Sequence, residues 1–149
     1  MNLPHSKNVL IVLDILKNQV DGDISAALEK MSADYQMTWM YQKGSAFFPK
    51  TTNEVSSELE EVYPIKGRVY DIRNITESED VVIIEMIESY PDPETGKMYR
   101  TPLVLVLEIV EGKIRTGRHY CDPRLSFADL TEKQIEDVLS RTPRKFLIS

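Results

Sequence analysis

Two titratable side chains, Glu88 and His119, are of the types that move protons in enzymes. A histidine titrates near neutral pH, and a carboxylate at hydrogen-bond distance fixes its tautomer and favours its charged form. Such a dyad would abstract an acidic proton next to a carbonyl group while Tyr41 or Tyr90 donates a hydrogen bond to the developing oxyanion. The alternative is structural: His119 is a satisfied strand histidine, and Glu88 sits in water at the mouth of a pocket.

The strand that carries His119 decides which side chains share its face. If His119 points inward, alternation also turns Gly117 and Cys121 inward and turns Arg118 and Tyr120 outward. The same alternation on neighbouring strands predicts a largely apolar cavity with a few polar groups, the usual make-up of a small-molecule site. The residues predicted to contact the ligand, some of which would equally fill the core, are Met37, Trp39, Met86, Thr101, Leu103, Leu105 and Cys121.

Cys121 is the only cysteine in the chain. A buried and inert thiol is favoured over a nucleophile, because the sequence offers no second partner for it. Paired-cysteine metal patterns, phosphate-binding glycine loops and nucleophile-elbow motifs are absent from the sequence. We therefore expect neither a metal nor an organic cofactor.

Composition narrows the class of protein. The chain has 149 residues, of which 42% are hydrophobic and 28% are charged, enough to bury one core without staples. The net charge of −6 disfavours a nucleic-acid partner and an anionic membrane surface. No apolar run approaches a membrane span, no signal peptide is evident, and a lone cysteine suits a reducing compartment. These features predict a soluble cytoplasmic protein.

Hydrophobic periodicity places helices first, then strands, then a closing helix. This segregation predicts an α+β fold, a single domain over residues 1–149 in which a curved, mostly antiparallel sheet and the N-terminal helices form a cone around a central pocket. Thr131 and Gln134 predict a capping box on the last helix, whose buried stripe would be Ile135, Val138 and Leu139. Helices are predicted at 6–20, 24–31, from Thr51 to Pro64 and at 131–140, and strands at 35–42, 67–76, 81–90, 98–110 and 113–122.

Two further segments have open interpretations. The loop Phe47-Phe48-Pro49 is either a lid over the pocket or local packing. The terminal cations Arg141, Arg144 and Lys145 are typical of a solvated chain end.

The order of elements and three short motifs resemble the SnoaL-like polyketide cyclases. Limonene epoxide hydrolase and ketosteroid isomerase share this layout, within the nuclear transport factor two-like superfamily. The resemblance covers about residues 8–125. The motifs are Ala33-Asp34 at the start of the first strand, Thr95-Gly96-Lys97, and Glu111-Gly112-Lys113-Ile114 followed by Arg118-His119-Tyr120-Cys121-Asp122-Pro123. The last of these is similar to the family ending DGKI…RDYFDP.

The resemblance also assigns positions to the epoxide hydrolase site. Its first aspartate falls on Glu88, its arginine on Met86 and its second aspartate on His119, which is also the acid/base position of the cyclases. Its tyrosine and asparagine fall on Met37 and Trp39. Only one carboxylate of that set remains, and its arginine is absent.

Three functions follow from these features, in order of preference. The first is a SnoaL-like cyclase, isomerase or lyase that uses general acid/base chemistry on a hydrophobic carbonyl compound. The second is a non-catalytic module that binds a ligand or partner in the same pocket, and the third is an epoxide hydrolase with an altered site. The resemblance also implies a homodimer formed through the outer sheet face that carries Val104 and Val106.

Overall fold

The computed structural model describes residues 5–44, 49–51, 65–126 and 129–149. Four helices are described: α1 (Lys7–Asp21), α2 (Ile24–Glu29), α3 (Pro123–Ser126) and α4 (Glu132–Val138). The described strands are β1 (Met31–Trp39), β2 (Lys50–Thr51), β3 (Val69–Ser78), β4 (Val81–Pro91), β5 (Met98–Val110), β6 (Lys113–Cys121) and β7 (Phe146–Ile148).

Helix α1 has a polar start, an apolar face and a glycine stop. The Ser6 side chain accepts a hydrogen bond from the Val9 backbone N–H, and Gly22 ends the helix in the left-handed region at φ 74°. Val12 and Leu16 are among the residues that the helix buries against the sheet. The helix predicted at 6–20 is confirmed, and it covers the sheet face that we call the inner face.

The strands form one sheet of seven strands in the order β2-β1-β6-β5-β4-β3-β7. Strand β1 runs parallel to β6, and every other neighbouring pair in the described sheet is antiparallel. The tight β5–β6 turn uses Glu111 and Gly112 at φ 51° and 77°, as a two-residue hairpin turn with positive φ at both positions requires. The predicted α+β class is confirmed.

The core lies between α1 and the inner face of the sheet. Strand β5 shows the alternation most clearly, because Leu103, Leu105, Leu107 and Ile109 are buried while the residues between them are half-buried. Ile72, Ile84 and Met86 continue the core on β3 and β4. The inward direction predicted for the β4, β5 and β6 residues is therefore correct.

The start of the sheet differs from the prediction. Strand β1 begins at Met31, which was assigned to the second helix, and it ends at Trp39, so Tyr41 lies in the following turn. The exposed stretch Ala33-Asp34 hid the beginning of the strand, since alternation resumes only at buried Tyr35. Thr51, the predicted cap of a third helix, lies in β2; the rest of that helix, from Thr52 to Pro64, falls outside the described residues, as do Phe47 and Phe48.

The C-terminal segment is packed on the sheet. The predicted capping box of Thr131 and Gln134 is present on α4, and Ile135 is buried, but Val138 is 82% exposed and is not part of the buried stripe. The chain then returns as β7, which pairs with Tyr70, Asp71 and Ile72 of β3. The cations Arg141, Arg144 and Lys145, predicted to lie at a solvated chain end, are exposed, whereas the strand that follows them belongs to the sheet. In the described parts of the chain, no helix is both long and apolar enough to cross a membrane.

Candidate functional site

Glu88 lies on the inner face near the end of β4. Its Cα partners are Tyr70 on β3 and Thr101 on β5, so the three side chains form one row across the sheet. The next row contains Ile72, Met86, Leu103 and Cys121, which are apolar or weakly polar. The carboxylate therefore stands at the border of the apolar core.

The partner of Glu88 is an arginine that the sequence did not indicate. Arg68, one residue before β3, places Nη1 2.8 Å from Oε2 of Glu88, and its side chain is only 2% exposed. Its guanidinium lies over the ring of Tyr90, with Cζ 4.8 Å from the centroid. The arginine expected by resemblance at position 86 is replaced by a core methionine, and the guanidinium reaches Glu88 from the neighbouring strand instead.

Arg68 is fixed by a second polar contact. Its guanidinium donates to the hydroxyl of Tyr70, and that hydroxyl donates to the side-chain oxygen of Gln19 on α1. Burial works to lower the pKa of Arg68, but the negative charge of Glu88 and the contact with Tyr70 outweigh it and raise the pKa. The cation is thus held permanently charged between helix and sheet.

His119 occupies a different row of the inner face. Its Cα partners are Leu105 on β5 and Trp39 on β1, and its ring meets the ring of Tyr41 edge-on at 5.5 Å between centroids. Burial lowers the pKa of His119, whereas the charge of Glu88 acts in the opposite direction. The Nδ1 atom is buried and has no hydrogen-bond partner within the described structure. Burial therefore favours the neutral imidazole over the imidazolium.

The structure brings Glu88 and His119 within electrostatic range without joining them. The carboxylate is ion-paired with Arg68, and within the described structure no hydrogen bond joins it to His119. Its negative charge nevertheless opposes the lowering of the His119 pKa by burial, and it also acts on Tyr90 and Cys121. The charge of Glu88 thus acts on several groups of the site. A direct hydrogen bond between Glu88 and His119 would require the Glu88 side chain to leave Arg68.

The two candidate tyrosines lie in different parts of the site, one beside Arg68 and the other beside His119. Tyr90 belongs with Arg68 and lies 5.7 Å from the ring of Tyr99; burial, followed by the Glu88 charge, raises its pKa, so it stays a protonated donor. Tyr41 belongs with His119, although it reaches the histidine from a turn and not from β1 as predicted.

The predicted ligand-contacting residues all lie on the inner side, with different exposures. Met86, Thr101, Leu103 and Leu105 are buried, and Met37, Trp39 and Cys121 are partly buried against the same core. Burial, followed by the charge of Glu88, raises the pKa of Cys121 to about 11, which keeps the thiol protonated and unreactive. No group of three or more His, Cys, Asp or Glu side chains in the described ranges is arranged to hold a metal ion.

A separate cleft of about 260 Å³ lies on the opposite, outer face of the sheet. Its floor includes Ile87 and Ser89, and α4 and the C-terminal segment form its walls. The charged groups that surround it are largely engaged with one another: Asp71 binds Arg73 and Arg144, and Arg73 also binds Glu136. Because these charged groups bind one another and hold the C-terminal segment on the sheet, the inner site is the stronger candidate for a functional site.

Solved structures of other proteins share this architecture, although no similar sequence was found. No protein-family model and no curated protein sequence matches the chain. IdmH of Streptomyces antibioticus, a proposed polyketide cyclase, superposes with a TM-score of 0.71 at 11% identity, over 83% of this chain and 98% of that chain. A proposed SnoaL-like polyketide cyclase from Shewanella putrefaciens gives 0.71 at 12% identity, over 84% and 85%.

A third solved structure extends the likeness beyond the cyclases. An NTF2-like protein of unknown function from Cytophaga hutchinsonii gives a TM-score of 0.63 at 15% identity, over 85% of this chain and 99% of that chain. At such identities the likeness is one of fold, and a shared fold leaves the chemistry to be argued from the site. The chain therefore shares the fold of these SnoaL-like and NTF2-like structures.

Proposed function

We propose that this protein is an enzyme that uses general acid/base chemistry on a hydrophobic carbonyl compound, as a cyclase, isomerase or lyase. The observation that carries the proposal is the setting of His119, whose Nδ1 atom is buried among mostly apolar side chains without a hydrogen-bond partner in the described structure, while burial lowers the pKa of the ring. Groups with this combination of burial, charge partner and unused hydrogen-bonding capacity concentrate at functional sites.

The proposed step is a proton abstraction. His119 accepts a proton from the carbon next to the carbonyl group, the electron pair of that C–H bond forms a carbon–carbon double bond, and the π pair of the carbonyl group moves onto its oxygen. The negative charge of Glu88 stabilises the imidazolium that forms. Tyr41 or Tyr90 donates a hydrogen bond to the oxyanion, and the proton returns from His119 to the product.

A specific observation favours the second candidate, a binding module without catalysis. Glu88 is engaged by Arg68, so the direct dyad predicted from the sequence is not formed. The epoxide hydrolase is the weakest candidate, because His119 stands at the position of its second aspartate and Glu88 is the one carboxylate of that set in this chain.

The deciding experiment compares the wild type with His119→Ala. Steroids, terpene epoxides and polyketone-like aromatic compounds are first screened for a rise in the melting temperature, which reports binding to the folded state. Each compound that binds is then incubated with both proteins, and conversion is followed by chromatography. We expect binding by both and conversion by the wild type alone; binding by both with conversion by neither identifies a binding module.

A further inference from the structure

We propose that the ligand of the inner site carries a carboxylate, which takes the place of Glu88 on the guanidinium of Arg68. This inference rests on the site of the proposed function and names the chemistry of its ligand. The ligand is then an organic anion with an apolar body, for example a hydrophobic carbonyl acid.

The first step of the argument is that Arg68 is immobile. Its side chain is 2% exposed, it donates to Tyr70, which is tied to Gln19 on α1, and its planar group stacks over Tyr90. Guanidinium groups held in this way bind carboxylates through directed hydrogen bonds. The position of the cation is therefore set by the fold and does not depend on Glu88 alone.

The second step is that Glu88 is the member of the pair that can leave. Its side chain is 22% exposed, so it has a path to water that the arginine lacks. A carboxylate displaced from Arg68 can therefore turn towards solvent while the buried arginine stays in place.

The third step is the electrostatic cost of exchange. A buried cation that loses its partner is strongly destabilising, whereas the replacement of one carboxylate by another keeps the cation paired throughout. A neutral ligand offers no such replacement, so it leaves either Glu88 on Arg68 or the cation unpaired. The site should therefore discriminate between an acid and its amide, although both have the same apolar body.

The apolar body would contact inner-face side chains that the core leaves partly open. Cys121 lies in the row next to Glu88, and Trp39 lies in the row of His119. Both are only partly buried, whereas Met86 and Leu103 beside them are packed in the core. An aliphatic or alicyclic ligand anchored at Arg68 would extend past Cys121 towards Trp39.

Trp39 provides the measurement, because it is the only tryptophan in the chain. Its fluorescence is titrated with octanoate and with octanamide, which differ in charge and share an alkyl chain. We expect the wild type to bind octanoate roughly tenfold more tightly than octanamide, the low end of what a hydrogen bond between charged groups contributes.

Substitutions at Glu88 and Arg68 test the cause of the preference for octanoate. Glu88→Gln removes the competing carboxylate, so we expect it to bind octanoate several-fold more tightly than the wild type and to gain more melting temperature from it. Arg68→Met should lose the preference for octanoate over octanamide, and Arg68→Lys should keep part of it. Arg118→Met is the matched control, since it removes one positive charge from the strand of His119 on the opposite face.

Several results would overturn the inference. They are equal affinity for the acid and the amide, no saturable octanoate binding by either wild type or Glu88→Gln, and weaker or unchanged octanoate binding by Glu88→Gln. If Arg68→Met does not fold, the Glu88→Gln titration decides alone. A protein that ignores octanoate but converts neutral carbonyl compounds with the help of His119 contradicts the inference and leaves the proposed function intact. Octanoate selectivity without turnover of any compound supports the inference and contradicts the proposed function.

Discussion

At the scale of single residues, the site depends on one carboxylate that serves several neighbours. Glu88 pairs with Arg68, while its charge also acts on the imidazole of His119. Glu88 and His119 were indicated by sequence because both types are suited to proton transfer and both fell on predicted inward positions. Arg68 was not, because an arginine next to a glycine is usually solvated, and only the folded structure shows its ion pair with Glu88.

The titration of His119 is the most direct test of this arrangement. We expect its pKa to lie below the ordinary value of 6.5, because burial disfavours the imidazolium. In Glu88→Gln it should fall further, because the negative charge that opposes the effect of burial is gone. Proton NMR measures both, and assignment is simple because His5 is the only other histidine. A rise in Glu88→Gln would contradict the geometry.

Gly117 offers a steric test of the contact between β1 and β6. A Cβ atom at this position would lie 2.6 Å from Sδ of Met37 and 3.2 Å from Cδ2 of Leu107. Because the Met37 side chain is flexible and can yield, we expect Gly117→Ala to lower the free energy of unfolding by only about 1–2 kcal/mol. Urea denaturation measures it. The double variant with Met37→Ala should cost less than the sum of the single changes, and strict additivity would argue against the contact.

At the scale of elements, the sequence predicted the strands whose alternation is clear and missed those without it. Strand β5 was predicted with correct ends because its inward residues are uniformly large and apolar. Strand β1 was misplaced by its exposed stretch at Ala33-Asp34, and β7 has only three residues, too few for a pattern. The pairing of β7 can be recognised only in the folded structure, in which β3 offers a free edge to it.

The C-terminal segment is held to β3 by buried charges, and this predicts a stability difference. Asp71 binds both Arg73, whose side chain is 0% exposed, and Arg144. Burial works to raise the pKa of Asp71, but these two arginines outweigh it and lower the pKa. We expect Asp71→Ala to cost about 3 kcal/mol of unfolding free energy, because it leaves a buried guanidinium without that partner.

Glu136→Ala is the matched comparison for Asp71→Ala. It removes another carboxylate from Arg73, but its side chain is 51% exposed. A solvent-exposed partner contributes little, so we expect a loss of less than about 1 kcal/mol. Both values come from urea denaturation at pH 7. Equal losses in the two variants would show that burial does not set the strength of this network.

At the scale of the whole molecule, the partly buried His119 links stability to pH. The pKa of His119 is lowered in the folded state, so the unfolded chain binds the proton more readily. The free energy of unfolding should therefore be fully present above about pH 6.5 and should fall as the pH drops from there towards the folded pKa.

The size and origin of this slope can be measured. A single proton limits it to about 1.4 kcal/mol per pH unit. We expect wild type to lose stability between pH 7.5 and pH 5 and His119→Gln to lose clearly less, as measured by urea denaturation at several pH values. His5→Gln is the control, because His5 is exposed near the N terminus. An identical slope in wild type and His119→Gln would exclude His119 as the source.

The outer face of the sheet carries the last prediction, the homodimer implied by the family resemblance. The α4 helix and the C-terminal segment cover the part of this face around Ile87, and they leave a part that includes Ile83, 38% exposed, and Tyr120, 41% exposed. Val104 and Val106 lie between them, in the registers of Tyr120 and Ile83. A two-fold dimer would bring the same apolar patch of each protomer together.

Val106→Lys tests the dimer without touching the inner face. In a two-fold interface the change adds one positive charge per protomer, next to Arg118, so we expect dissociation to monomers that remain folded. Light scattering measures the mass, and circular dichroism checks the fold. Ser25→Lys, at an exposed position on α2 and not in the sheet, is the control and should leave the mass unchanged. A wild type that is monomeric at micromolar concentration would remove the prediction, and the patch would then be an ordinary exposed surface.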